Sequence, residues 1–233
     1  MQNPKPSRKL KQTPLTRLRR APKRGSFAEA DIYAILDATP MCHVGYQLDN
    51  QPVVMPTCHW RVGDRLYWHG SRLSRTMQRS AEQQVCVTVT LLDGLVLTRS
   101  AFHHSANYRS ALVFGEPEVV GGGAKLEALE HFIEGLFPGR WATLRPPSRK
   151  EMNATTVLSL PISQASAKVR QGPPVDLEDD LDLPIWAGVI PLQMETQAVQ
   201  PCAHNQKHVP LPDHVSDYQF AGRVAASADP ALE

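Results

Sequence analysis

The sequence predicts a small β-barrel decorated with a few helices. Three observations carry this expectation. Between Cys42 and Ile162 there are six or seven short segments with strand character, either alternating apolar and polar residues or clustering β-branched ones. Only two stretches, near residues 26–37 and 124–137, sustain helical spacing of apolar residues. The strands are not alternated with long helices, and no GxGxxG motif follows a strand, which argues against a doubly wound parallel sheet.

The elements follow in order. Ser26-Phe-Ala-Glu29 has the form of a capping box, and Phe27, Ile32, Ile35 and Leu36 give the following helix an apolar face before Pro40 ends it. Residues 42–48 and 52–60 read as strands joined at Asp49-Asn50-Gln51, and 65–70 follows as the third strand of a meander. Pro56 cannot donate to a ladder, so the second strand is expected to have a gap or an edge there. A short helix is expected over 71–81, a strand over 85–92, a hairpin turn at Asp93-Gly94 and a return strand over 95–99. A long strand over 109–120 precedes the helix of 124–137, which Pro138-Gly139 stops. Ser148-Arg-Lys-Glu151 predicts a second capping box, and 155–162 the last clear strand.

Charge divides the chain. Of its 25 basic residues nine lie in residues 1–24, which hold no acidic residue, leaving 16 basic against 23 acidic residues elsewhere. Four prolines in that basic stretch oppose a continuous helix, so residues 1–24 are expected to be a disordered, solvated tail. Residues 25–196 form the expected folded domain, and residues 197–233, which lack periodicity, a mobile tail. No apolar run approaches the roughly 20 residues of a membrane-spanning helix. The four cysteines make no CxxC and do not suggest a disulfide framework, so a cytoplasmic location is expected.

The chemistry concentrates at Leu66–Met77, LYWHGSRLSRTM. A strand ending at His69-Gly70 runs into a helix opening near Ser74, where free amides and hydroxyls beside Arg72 and Arg75 suit an anion such as a phosphate. Gly70 is expected to let a ligand approach the backbone. Ordinary helix capping with surface arginines is the competing reading. Cys42-His43, Cys58-His59, His69, His103 and His104 offer metal or haem ligands, but adjacent residues in a strand face opposite ways, and no HxxxH is present, so no metal site is expected. GxSxG is absent, so the polar stretch AFHHSANYRS at 101–110 lacks a nucleophile-elbow context; it delivers Tyr108 and Arg109 to a strand start.

The motifs together, CHVGY, VVMPT, LYWHGS, SRTM, VTVTLLDGLVLTRSAFHHSANYRSALVFG, FPGRW, TTVLSLPI, SAKVRQGPP and PIWAGVIPL, resemble the pyridoxamine 5′-phosphate oxidase-like flavin-nucleotide-binding proteins, on the branch with the nitroimidazole-resistance proteins. The resemblance spans about Arg24 to Leu192. It implies an FMN-binding split β-barrel of Greek-key type, a homodimer with the flavin where the subunits meet, and oxidoreductase chemistry on a small-molecule substrate; apart from the resemblance, the solvated reading of the basic tail and the absence of a long apolar run make a nucleic-acid or membrane partner unexpected. By position it implies Val54, Met55, Pro56 and Thr57 at the flavin ring, His69, Gly70 and Ser71 along the ribityl-phosphate side, Ser74 and Arg75 at the phosphate, Tyr108 and Arg109 beside the cofactor, and Trp186 covering the neighbouring subunit's flavin. Thr76 stands where many relatives carry a lysine, and the C-terminal phosphate-binding signature of vitamin B6 oxidation is missing. His69 is the expected catalytic residue, with an ordinary pKa of about 6.5. Two other readings stay open: a haem-binding or haem-degrading split barrel, and a non-catalytic flavin or nucleotide sensor using the basic tail.

Overall fold

A computed structural model of the chain describes residues 8–206 and 208–220. The strands are β1 (Gly25–Ser26), β2 (Met41–Leu48), β3 (Gln51–Val62), β4 (Arg65–Ser71), β5 (Val85–Leu97), β6 (Ser105–Gly115), β7 (Glu118–Val120), β8 (Thr155–Pro161), β9 (Ala165–Arg170) and β10 (Gly188–Pro191). The helices are α1 (Glu29–Asp37), α2 (Arg75–Ser80), α3 (Gly122–Leu136), α4 (Arg149–Ala154) and α5 (Asp213–Ser216). All pairings are antiparallel, in the order β1-β9-β6-β5-β2-β3-β4-β8-β7, with β10 added to β5. The fold is mainly β and of the split-barrel class, with more strands than the six or seven expected.

The turn over Asp49 and Asn50, both at positive φ, closes the β2–β3 hairpin where the sequence places it. Strand β3 then changes neighbours. Over 51–58 it pairs only with β2; over 59–62 it pairs with β4. Pro56 therefore sits on a half of β3 with one side open, where its missing N–H leaves no gap in a two-sided ladder. Strand β4 alternates cleanly. Leu66 and Trp68 are fully buried in the main core with Ile32, Val44, Val87 and Leu158, while Tyr67 faces a second cluster under α3, with Trp60, Val157 and Phe132.

Four expectations need correction. Asp93-Gly94 is not a hairpin turn: β5 runs through it with a bulge between Leu92 and Gly94. Its glycine is required because β10 comes close, with the Ile190 carbonyl 3.0 Å from where a Cβ would stand. The helix expected over 71–81 is confined to α2, because Ser71 stays paired to Thr155 in β8. Ser26 lies two residues before the cap of α1, where its hydroxyl accepts from the Ala28 N–H and donates to Asp31 in place of a capping box with Glu29. The second capping box, Ser148 with Glu151 on α4, is present as expected.

The fourth correction concerns the tails. Residues 8–24 are not a free tail. Leu10 is buried in the main core and its amide donates to Phe27; Thr16 is buried, and Gln164 donates to the Thr13 hydroxyl. Within the expected C-terminal tail, α5 and its neighbours pack back on the body, with Tyr218 against Phe137 at 5.2 Å between ring centroids. Residues 1–7 and 221–233 lie outside the described residues. No helix among the described residues is long and apolar enough to cross a membrane.

Leu10 gives a direct test. Leu10→Ala removes a core side chain from a segment otherwise held by a few hydrogen bonds. It is expected to lower stability by about 2 kcal/mol, the low end for such truncations, and the thermal midpoint by about 4–8 °C, measured by calorimetry.

Candidate functional site: a histidine cavity and an open strand edge

His69 does not share a site with the other residues expected to hold the flavin. Strand alternation points it with Tyr67 toward α3, where its ring lies 5.0 Å from Phe132 and 5.8 Å from Trp60 between centroids. It borders a cavity of about 400 Å³ whose other walls are mostly apolar, including Leu129, Ile133, Trp141 and Leu144, with Arg145 and Glu151 at the polar part. None of Val54, Met55, Pro56, Thr57, Gly70, Ser71, Ser74, Arg75, Tyr108, Arg109 and Trp186 lines this cavity. His69 Nδ1 is buried without a hydrogen-bond partner. Burial lowers the imidazole pKa, so the ring is neutral near pH 7. A neutral imidazole offers a nitrogen lone pair rather than a charge.

Gly70 faces the other way, into the core, and its role is packing. A Cβ there would stand 2.8 Å from Met77 Cγ, so the side chain of Met77 occupies the space that the sequence reading reserved for a ligand. Ser71 accepts a hydrogen bond from the Leu73 amide. Beyond it, Ser74 caps α2 without using its hydroxyl in the cap, and Arg72 and Arg75 are exposed, their guanidinium groups without a salt-bridge or hydrogen-bond partner among the described residues, while the Arg72 carbonyl accepts from Gln78 Nε2. The Thr76 hydroxyl is 3.1 Å from that of Tyr46, so the position where relatives carry lysine serves the fold here.

Val54 and Met55 are exposed at 63% and 42%, and Pro56 is exposed beside them, on the unpaired side of β3. Free backbone groups on that edge suit the polar rim of a planar ring. Tyr108 and Arg109 lie on β6 between β5 and β9. Arg109 is committed to a bidentate pair with the bulge residue Asp93, at 2.9 and 2.7 Å, leaving Nη1 buried and unpartnered. Hydrogen bonding to Asp93 raises its pKa. Trp186 is 68% exposed, its ring lying against Gly188 of its own chain. In a single chain these residues form an open surface.

The remaining ligand candidates are in other hands. Cys42 is buried in the main core, where burial pushes its thiol up to about 12. His43 is exposed. His104 Nδ1 lies within reach of the Thr98 hydroxyl and Ser100 carbonyl. His103 is half-buried with Nδ1 unpartnered. His59 is buried, its Nε2 2.9 Å from the Leu36 carbonyl.

Residues 28–169 match the family described as pyridoxamine 5′-phosphate oxidase. The chain belongs to the pyridoxamine 5′-phosphate oxidase family. Among solved structures it is similar to the flavocytochrome Anf3 from Azotobacter vinelandii, 42% identical, TM-score 0.86, over 88% of this chain and 97% of that one. It is similar to the FAD and haem binding protein from Mycobacterium smegmatis, 37% identical, TM-score 0.80, over 83% and 96%. A candidate 5-nitroimidazole antibiotic resistance protein from Bacteroides thetaiotaomicron, 24% identical with TM-score 0.50 over 60% and 83%, shares the fold. No curated protein matches the sequence.

For this member of the pyridoxamine 5′-phosphate oxidase family, the sequence singles out His69 but not its surroundings. Phe132 and Leu129 read as the core face of a helix, and Trp141 and Arg145 carried no assigned role. The FPGRW motif, placing a tryptophan just past a helix stop, was the available signal.

The two buried histidines set a pH dependence. Burial lowers the pKa of both His59 and His69 below the ordinary 6.5. The unfolded chain therefore binds more protons than the folded one between the lowered values and 6.5. Their contribution to stability is complete above that window and declines as pH falls through it. Cofactor-free protein is expected to show a lower denaturation midpoint at pH 5.5 than at 7.5, and His69→Gln to reduce that difference.

Proposed function

We propose that this protein binds both a flavin nucleotide and a haem and acts as a flavin-dependent oxidoreductase, with His69 as the residue that would ligate the haem iron. The observation that carries the haem reading is the His69 cavity: one half-buried imidazole lining an otherwise largely apolar cleft. A porphyrin needs an axial nitrogen, an apolar slot and a polar exit for its carboxylates. Leu129, Phe132, Ile133, Trp141 and Leu144 supply the slot, and Arg145, paired with Glu151, the exit. Two relatives above 35% identity, matched over nearly their whole length, are named as a flavocytochrome and as an FAD and haem binding protein.

The flavin reading rests on the open edge of β3 at 54–57 and on the uncommitted hydroxyl of Ser74 and guanidinium of Arg75. These groups lie on the surface of a single chain, and exposed Trp186 is available to a neighbour. We propose that a second copy completes the flavin site as a homodimer. In this arrangement Arg75 and Ser74 hold the phosphate, the β3 backbone and Thr57 orient the ring, and the α3 layer keeps water from His69. The flavin supplies two-electron chemistry on a small-molecule substrate and the haem one-electron chemistry. The sequence resemblance favours FMN; the likeness to the FAD and haem binding protein from Mycobacterium smegmatis favours FAD.

The absorption spectrum of protein purified from haem-replete cells tests both parts. Flavin bands and a Soret band are expected together, and mass spectrometry of the released flavin separates FMN from FAD. His69→Ala is expected to lose the Soret band and keep the flavin. A Soret band unchanged in that variant rejects the ligand assignment.

Arg75→Ala is expected to weaken flavin binding about 10- to 100-fold, the weight of a charge-assisted hydrogen bond, and to leave the Soret band in place. Flavin affinity equal to wild type rejects the phosphate assignment. Light scattering that shows a monomer at micromolar concentration rejects the shared site.

A further inference from the structure

Residues 8–24 carry eight lysines and arginines and no acidic residue, and the fold holds them in place. Leu10 in the core, buried Thr16, the bond from Gln164 to Thr13 and the bridge between Lys9 and Ala28 tie the segment down at separate points. Leu18 lies against Gly25, where any Cβ would overlap its side chain. Gly25 and Ser26 in turn pair with Lys168 and Ala167. These contacts gather charge that a free tail would disperse. Arg17 and Arg19 flank Leu18 and line a concavity of about 450 Å³ with Gln12 and Pro22. Arg24 precedes Gly25, Lys168 stands opposite it, and Arg170 lies two residues further along β9.

The gathered charge is not neutralised. Arg8 pairs with Glu29. The other seven cations of the segment are exposed, and their side chains have no ion pair or hydrogen bond among the described residues. Arg170 is buried and donates only to neutral acceptors, the Asn107 amide oxygen and the Gly172 and Pro173 carbonyls. Burial and then the charge of Arg24 lower its pKa. Like charges held together destabilise the folded state, and an external polyanion relieves that cost. Residues 25–233 hold 16 basic and 23 acidic residues, so the net positive charge of the molecule comes from this segment.

The side chains narrow the class of polyanion. Residues 8–26 contain no aromatic residue, so single-stranded bases find nothing to stack on and a protein partner finds no aromatic anchor. Leu15 is the segment's one exposed large apolar side chain, too little to enter a lipid surface. Five of the eight cations are arginines, whose planar fork matches phosphate oxygens. We infer that the face built on residues 8–24 and β9 docks on the phosphodiester backbone of double-stranded nucleic acid, without reading its sequence. Phosphate contacts position a protein on a duplex and carry no base information. The inference uses neither the flavin site nor the His69 cavity.

Fluorescence anisotropy of a labelled DNA duplex of about 20 base pairs, titrated with the full-length protein at about 50 mM salt, tests this. Micromolar binding is expected, equal for unrelated sequences and weaker for the single strand. With about four phosphates neutralised, log affinity falls with log salt at a slope of about −3 to −4. Arg17→Glu with Arg19→Glu is expected to weaken binding at least tenfold and flatten the slope by about 2, in protein whose circular dichroism and cofactor spectra match wild type. Arg149→Glu with Lys150→Glu makes the same change of net charge on α4 and is expected to weaken binding less than threefold. Absence of duplex binding at that salt overturns the proposal. Equal loss in the two double variants makes the effect one of net charge and overturns it. Tighter binding to phosphatidylserine vesicles, or to the single strand, gives the face to another partner and overturns it as well.

Discussion

The structure depends on strand β4 being covered on both sides. A strand of period two sends Leu66 and Trp68 one way and Tyr67 and His69 the other. On the first side both residues are fully buried in the main core. On the second, α3 supplies a lid of Ala128, Leu129 and Phe132. The second layer is what turns His69 from a surface strand residue into the wall of an apolar chamber. Each main-core contact of Trp68 therefore also fixes the orientation of its neighbour. A side chain at 69 cannot reach the face that holds Met77 and Gly70 without a one-residue slip that would expose Trp68.

The polar stretch at residues 100–110 has a different task. It ties the irregular segment after β9 to the barrel. Asp176 accepts from the Arg99 amide and guanidinium, Asn107 bridges the buried Arg170 and the Gly172 carbonyl, and Arg109 grips the bulge at Asp93. Most of these groups are buried or half-buried, where a satisfied network fixes one geometry and a broken one is costly. The consequence lies further along the chain. With residues 172–176 anchored, β10 can add to β5 and carry Trp186 and the apolar residues around it to the surface. Of the polar stretch itself, Asn107 holds that segment, while Arg109 holds the bulge and His104 lies against Thr98 and Ser100.

Legibility in the sequence follows from range. The β2–β3–β4 meander was readable because its signals are local: Asp49-Asn50 at a tight turn, alternation along each strand, and Pro56 marking an unpaired side. The facing of His69 with Tyr67, opposite Trp68, was readable for the same reason. The bulge at Asp93 was not, because Asp-Gly is also hairpin chemistry, and what keeps β5 straight is β10, nearly 100 residues later. Gly70 shows the same limit, since a missing side chain signals close approach without naming what approaches. Leu10 and Thr16 look like isolated residues in a basic, proline-rich run, and only the tertiary structure supplies the neighbours that bury them.

Unanswered nitrogens occur both in the scaffold and on residues that line cavities. Trp68 and Arg99 each leave one nitrogen unpaired where the rest of the side chain is held by packing or by an ion pair, and there the fold absorbs the cost. His69, His59, Trp60 and His214 leave theirs on residues that line cavities. Trp60 and Phe132 stand between the two chambers, so the layer that makes His69 apolar on one side supplies an aromatic wall on the other. Widening either chamber by truncating Phe132 would open both, because one side chain serves two linings. The fold thus sets two open concavities against one helix laid over the sheet, and the strand residue that lines the first, His69, brings an imidazole to an otherwise largely apolar wall.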